Sequence, residues 1–167
     1  MAEKDRIIKE KVEHFGLFDF KGFYGYAHSW LDDEEGYGVT EEKYSEKVSG
    51  NSRDITIEWK ATKKLSDYFK IEIKIEFEVK DLTDVEVEID GKKRKMNKGK
   101  VKVEITGNLV KDPESKWDTS PGTRFLRDIY NKYIVPKRIE SMEERVESNV
   151  KDFKEELKAF LELTGKR

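Results

Sequence analysis

Residues 68–80 read YFKIEIKIEFEVK, and Phe69, Ile71, Ile73, Ile75, Phe77 and Val79 alternate there with Lys70, Glu72, Lys74, Glu76 and Glu78. Successive side chains on a strand point to opposite faces, so the run makes one apolar face and one charged face. It predicts a long antiparallel strand with core beneath it and water above it. The rest of the chain must then supply a cover for the apolar side.

Strand signals flank this run on both sides. Upstream, Ile55, Ile57, Trp59 and Ala61 alternate with Thr56, Glu58 and Lys60, and a tight turn at 63–67 follows. Downstream, residues 82–89 predict a further strand with Val85, Val87 and Ile89 inward. Asp90-Gly91 is the strongest hairpin signal in the chain, because a type I′ turn needs positive φ at both central residues. Residues 92–96 pair back briefly, Asn97-Lys98-Gly99 turns again, and Val101, Val103, Ile105 and Leu109 mark the last strand.

The first fifty residues are less regular. Ile7, Ile8, Val12 and Phe15 share one side of a helix over residues 2–14, ended by Gly16. Residues 17–30, LFDFKGFYGYAHSW, read as an aromatic strand bent near Gly22 or Gly25, before the acidic turn LDDEEGYG. Residues 37–49 fit an edge strand or a short helix from Glu41.

Past Lys111 the pattern changes. The stretch 112–122 is loop, and Thr123 is placed to cap a helix carrying Phe125, Leu126, Ile129, Tyr130, Tyr133 and Ile134. Pro136 breaks or kinks it. Ile139, Met142, Val146, Val150, Phe153, Leu157, Phe160 and Leu161 then form one stripe, at spacings mostly of three and four, ending at Gly165. A helix of this length is roughly 40 Å long, close to the roughly 36 Å of the opening strand. The prediction is an α+β domain over 1–167: a curled antiparallel meander of about six strands, with an N-terminal helix and long C-terminal helices on one face.

Composition bounds the function classes. The chain has 34 basic and 36 acidic residues and a net charge of -2, so no global attraction to nucleic acid is expected. It has no cysteine, which removes disulfides, thiolate metal sites and cysteine nucleophiles. Abundant Lys and Glu suggest a thermophilic source, although an AT-rich genome would also favour Lys. The first fifteen residues lack the apolar core of a signal peptide, and no run of about 18 apolar residues occurs, so a cytoplasmic protein without a membrane span is expected.

ITIEW at 55–59, SDYF at 66–69, DVEVEIDGK at 84–92, KMNKGKV at 95–101, RFLRDIYNKYI at 124–134 and KAFL at 158–161 together resemble an archaeal protein family to which no activity is assigned. The resemblance covers most of the chain from about residue 37. It implies an archaeal origin and transfers no functional residue. The expected layout is also similar to the helix-grip fold of lipid-transfer and START-like domains, as fold analogy. Those domains carry two helices after their first strand, where this reading places an acidic turn.

Three groups of residues could carry function. Phe18, Phe20, Tyr24, Tyr26, His28 and Trp30 share even parity, and on a regular strand they would form a stacking platform. Tyr24, Tyr26, His28 and Trp30 would line it as ligand-binding residues; the plainer reading is core packing. The acid run Asp32, Asp33, Glu34 and Glu35 lacks the alternating spacing of a calcium loop and reads as a solvated turn, so no metal is expected. Lys92, Lys93, Arg94, Lys95, Lys98, Lys100 and Lys102 place seven positive charges in eleven residues. A basic ribbon of this kind can neutralise phosphates of nucleic acid, through Lys92, Lys93, Arg94, Lys95 and Lys98 first, or of an anionic membrane. It can equally meet the acidic turn of a second copy, or act as a soluble tip that deters aggregation.

Catalytic signals are sparse. His14 and His28 are the two histidines, and no Walker A, GxGxxG, GxSxG or HExxH pattern occurs. The expectation is a binding or assembly module without enzymatic activity or cofactor. Two alternatives are a pocket protein with an apolar or aromatic ligand between sheet and terminal helix, and a nucleic-acid binder using 92–102.

Overall fold

The apolar run that opens the reading continues, without a turn, into the segment that follows it. In the computed structural model, which describes residues 3–66, 68–111, 121–129 and 136–165, β1 is Glu3–Phe18, β2 Gly38–Ser49, β3 Ser52–Lys64, β4 Phe69–Ile89 and β5 Lys92–Lys111. They form one antiparallel sheet in the order β1-β5-β4-β3-β2. Helix α1 spans Phe20–Ser29 and runs into a single π-helical turn at Trp30–Glu34; α2 spans Pro121–Ile129 and α3 Pro136–Gly165. The α+β class and the antiparallel sheet are as expected, and residues 37–49 take the edge-strand option.

Five strands replace the expected six or so because two predicted breaks are a single bulge. The β4–β5 register runs from Lys80↔Lys100 directly to Thr83↔Lys98, so Asp81 and Leu82 together oppose Gly99. Asp81 takes φ 52, and a Cβ on Gly99 would stand 2.9 Å from the Lys80 carbonyl oxygen. Glycine is what permits that approach. On the β3 side of the bulge, the Asp54 carboxylate accepts the Asp81 N–H at 3.0 Å. Asp90 and Gly91, at φ 53 and 76, make the expected hairpin turn.

The N-terminal third corrects the sequence reading in two places. Residues read as a helix form β1, and residues read as an aromatic strand form α1. In β1 the register shifts between Arg6 and Ile8, which brings Ile7 and Ile8 to side-by-side half-buried positions that imitate a helical stripe. Glu10 occupies an inward position and pairs with Lys154 of α3 at 3.0 Å, so a charge conceals the alternation. In α1, Phe20, Phe23, Tyr24, Ala27 and His28 recur at helical spacing, and Asp19 caps the N-terminus by accepting the Gly22 N–H at 3.1 Å.

The core lies between the sheet and α1 with α3. Val146, Val150, Phe153, Leu157 and Leu161 of α3 are buried against Ile71, Ile73, Ile75, Phe77 and Val79 of β4 and their neighbours on β3 and β5. Pro136 opens α3, a position where its missing N–H costs nothing. Helix α2 begins at Pro121, ahead of the Thr123 expected to cap it. The predicted loop at 112–120 and the helical residues Tyr130, Tyr133 and Ile134 fall outside the described residues.

The opposite face, called outer here, is not uniformly wet. Lys74 and Glu76 are exposed as expected, but Glu72 is 3% exposed and held by Lys4 at 2.9 Å and Lys60 at 3.8 Å. A carboxylate so placed requires such partners.

Candidate functional site

The bulge at Asp81-Leu82 adds one residue to β4 and so reverses which face its side chains occupy. Before it, Phe77 and Val79 point to the helices; after it, Leu82 and Asp84 do. Asp84 accepts from Asn97 at 2.8 Å, and Asn97 accepts the Phe20 N–H at the start of α1 at 3.0 Å, which fixes both residues on the helix side. By alternation Val85, Val87 and Ile89 occupy the outer face, contrary to the inward placement expected from sequence. Their cross-strand partners Met96, Arg94 and Lys92 lie there with them. Met96 is buried yet does not belong to the core between sheet and helices, and Val85, Val87 and Ile89 are half-buried and equally separate from it.

The arm formed by 83–98 therefore sorts its charges by face. Lys92, Arg94 and Lys98 accompany the apolar residues on the outer side, continued toward the sheet by Lys80 opposite Lys100. Lys93 and Lys95 lie on the helix side directly opposite Glu88 and Glu86, which offset them. Of the five basic residues singled out from sequence, three share the outer face and two do not. Leu17 pairs with Lys98 and Phe15 with Lys100 on β1, and Phe15 is 76% exposed. Sequence reasoning missed the apolar side of the arm, because its face depends on a bulge that alternation alone does not announce, and missed Phe15 and Leu17 because the first of them was read on a helix and the second on a separate aromatic strand.

The four aromatic residues proposed as a platform are divided by the helix that carries them. Tyr24 and His28, one turn apart, both meet Trp59 edge-on, with ring centroids at 5.1 and 5.6 Å. Tyr26 and Trp30 turn toward α3, where they stack on Phe160 at 5.2 Å and Phe153 at 5.2 Å. Glu41 on β2 accepts from the Tyr24 hydroxyl at 2.6 Å and from the Trp59 indole N–H at 3.2 Å, and Tyr26 donates to Glu156. These contacts staple α1 to β2 and to α3. Two depressions formed by described residues lie elsewhere: one of about 280 Å³ beside Lys9, Glu58, Lys74 and Glu104, carrying both signs of charge, and one of about 310 Å³ beside Lys47, Asp54 and Asp81.

Both staples titrate. Burial, reinforced by Glu41, pushes the Tyr24 phenol up to about 12; the hydrogen bond to Glu156, with burial, pushes Tyr26 up to about 12. A phenol whose folded value lies above its unfolded value, about 10, contributes stability that is complete below pH ~10 and is lost as pH rises through about 12. Thermal melts are expected to fall over that alkaline window, and Tyr26→Phe to flatten the fall; a melting temperature indifferent to pH across it would contradict the staples.

Asp32, Asp33 and Glu34 are exposed on the π turn, and among the described residues no group of three or more His, Asp or Glu converges as a metal ion requires. His14 Nε2 lies 3.0 Å from the Leu17 carbonyl oxygen, a structural partner. No described helix is long and apolar enough to cross a membrane.

The fold and face together define a two-layer α+β domain with a projecting, one-sided cationic ribbon. No family model, curated protein or solved structure matches the chain, so the resemblance described above stands on its quoted residues alone.

Proposed function

We propose that the protein is a non-enzymatic binding module whose working surface is the outer face of the β4–β5 arm and whose partner is anionic. One observation carries the reading: Lys92, Arg94 and Lys98 gather on one side with no acid among the strand residues they face, while Glu86 and Glu88 are sorted to the other. A net charge of -2 over the whole chain leaves this arm as a local positive field rather than a general one. The helix-grip-like arrangement is the scaffold in this reading, with β1 followed by α1 and with α3 laid across the sheet; such a layout carries no activity by itself.

Immobilised heparin tests the charge. The protein is expected to bind and to elute at a salt concentration that falls markedly in Lys92→Gln/Arg94→Gln/Lys98→Gln, and that shifts little in Lys93→Gln/Lys95→Gln. Equal shifts in the two variants, or no retention of the unmodified protein, would sink the reading.

A further inference from the structure

Resting on that reading, we propose that the arm docks its outer face onto an anionic lipid surface, lying on the bilayer rather than crossing it. Charge and apolarity coincide there. Val85, Val87 and Ile89 form a half-buried row along β4 beside the buried Met96, and Lys92, Arg94 and Lys98 stand on β5 opposite and beyond them. Phe15, 76% exposed, and Leu17 extend the apolar area onto β1, next to Lys100 and Lys98. Interfacial binding uses this combination: aliphatic and aromatic groups enter the headgroup boundary while long basic chains reach anionic headgroups.

The same residues argue against other occupants. A second copy presenting this face would bring cations against cations. Nucleic acid would pair with the basic groups but leave valine and isoleucine without the flat rings that base stacking requires. A lipid surface has no fixed shape, so it can meet aliphatic and basic groups presented together on one face of a ribbon.

Co-sedimentation with vesicles of phosphatidylcholine alone, and of phosphatidylcholine mixed with phosphatidylserine, separates the contributions. The full chain is expected to sediment with the mixed vesicles and to stay in solution with the neutral ones. Lys92→Gln/Arg94→Gln is expected to weaken partitioning roughly 25-fold, about fivefold per basic group. Val87→Ser/Ile89→Ser lies outside the core, so its thermal melt should be preserved; it is expected to lose vesicle binding while keeping heparin retention. Heparin retention without vesicle binding by the unmodified protein would overturn the lipid assignment and leave the anionic reading standing, and loss of both would overturn both. Vesicle binding unchanged by Val87→Ser/Ile89→Ser, or abolished by competing duplex DNA at matched charge, would overturn the lipid assignment. Should the double variant melt early, Phe15→Ser on the β1 side of the same face provides the second measurement.

Discussion

Ile73→Asp is expected to leave the protein largely unfolded at room temperature. Ile73 lies at the middle of β4, fully buried between Ala61 on β3 and Gly107 on β5, with α3 above it. A carboxylate there gains no partner and loses its water, and buried unpaired charges belong to the small class of changes that cost about 4–5 kcal/mol or more. A domain of this size has only about 5–15 kcal/mol to lose. The neighbour Lys74 provides the control, since it is exposed on the outer face opposite Lys60 and Thr106. Lys74→Glu should change the unfolding free energy measured in urea by no more than about 0.5 kcal/mol. Equal tolerance at both positions would mean that the helical layer does not cover β4.

Gly107→Val tests the same packing from the other side. A Cβ on Gly107 would stand 2.6 Å from Cγ2 of Val150, 2.8 Å from Cγ1 of Val146 and 3.2 Å from Cγ2 of Ile8. The valines are β-branched residues on a helix, held to one side-chain rotamer, so they cannot swing aside. Helix α3 must lift instead. Gly107→Ala should cost about 1–3 kcal/mol by overpacking, and Gly107→Val more. Val150→Ala alone opens a cavity, yet added to Gly107→Ala it should recover part of the loss, giving a coupling of about 0.5–3 kcal/mol in a double-mutant cycle. Additive losses would place α3 farther from β5 than the structure does.

How much of this was readable beforehand depended on whether each local pattern was the whole story. The alternation of β3 and the first half of β4, the Asp90-Gly91 turn and the apolar stripe of α3 all matched their elements, because one face of each meets the core and the other does not. The first thirty residues exchanged helix and strand. In β1 a bulge and the Glu10–Lys154 pair disturbed the period of two. In α1 two glycines and an even-numbered aromatic row hid a helical spacing that Asp19, placed as an N-cap, signals. The basic run was visible as a run, but its division between faces was not. That division follows from Asp81-Leu82 opposing Gly99, a two-against-one pairing that exists only once the strands are in register. The charged face of the opening strand kept its general character, with Glu72 the exception for which its lysine partners account.

The central claim is that the bulge turns one side of the arm into the working surface. Because the chain has no cysteine, a single cysteine at Val87 or at Glu88 can carry an environment-sensitive fluorophore without side reactions. On adding phosphatidylserine-containing vesicles, the probe at Val87 is expected to shift to the blue and the probe at Glu88, on the opposite side of the ribbon, to stay as in water. Equal shifts, a larger shift at Glu88, or none at either position would contradict the account.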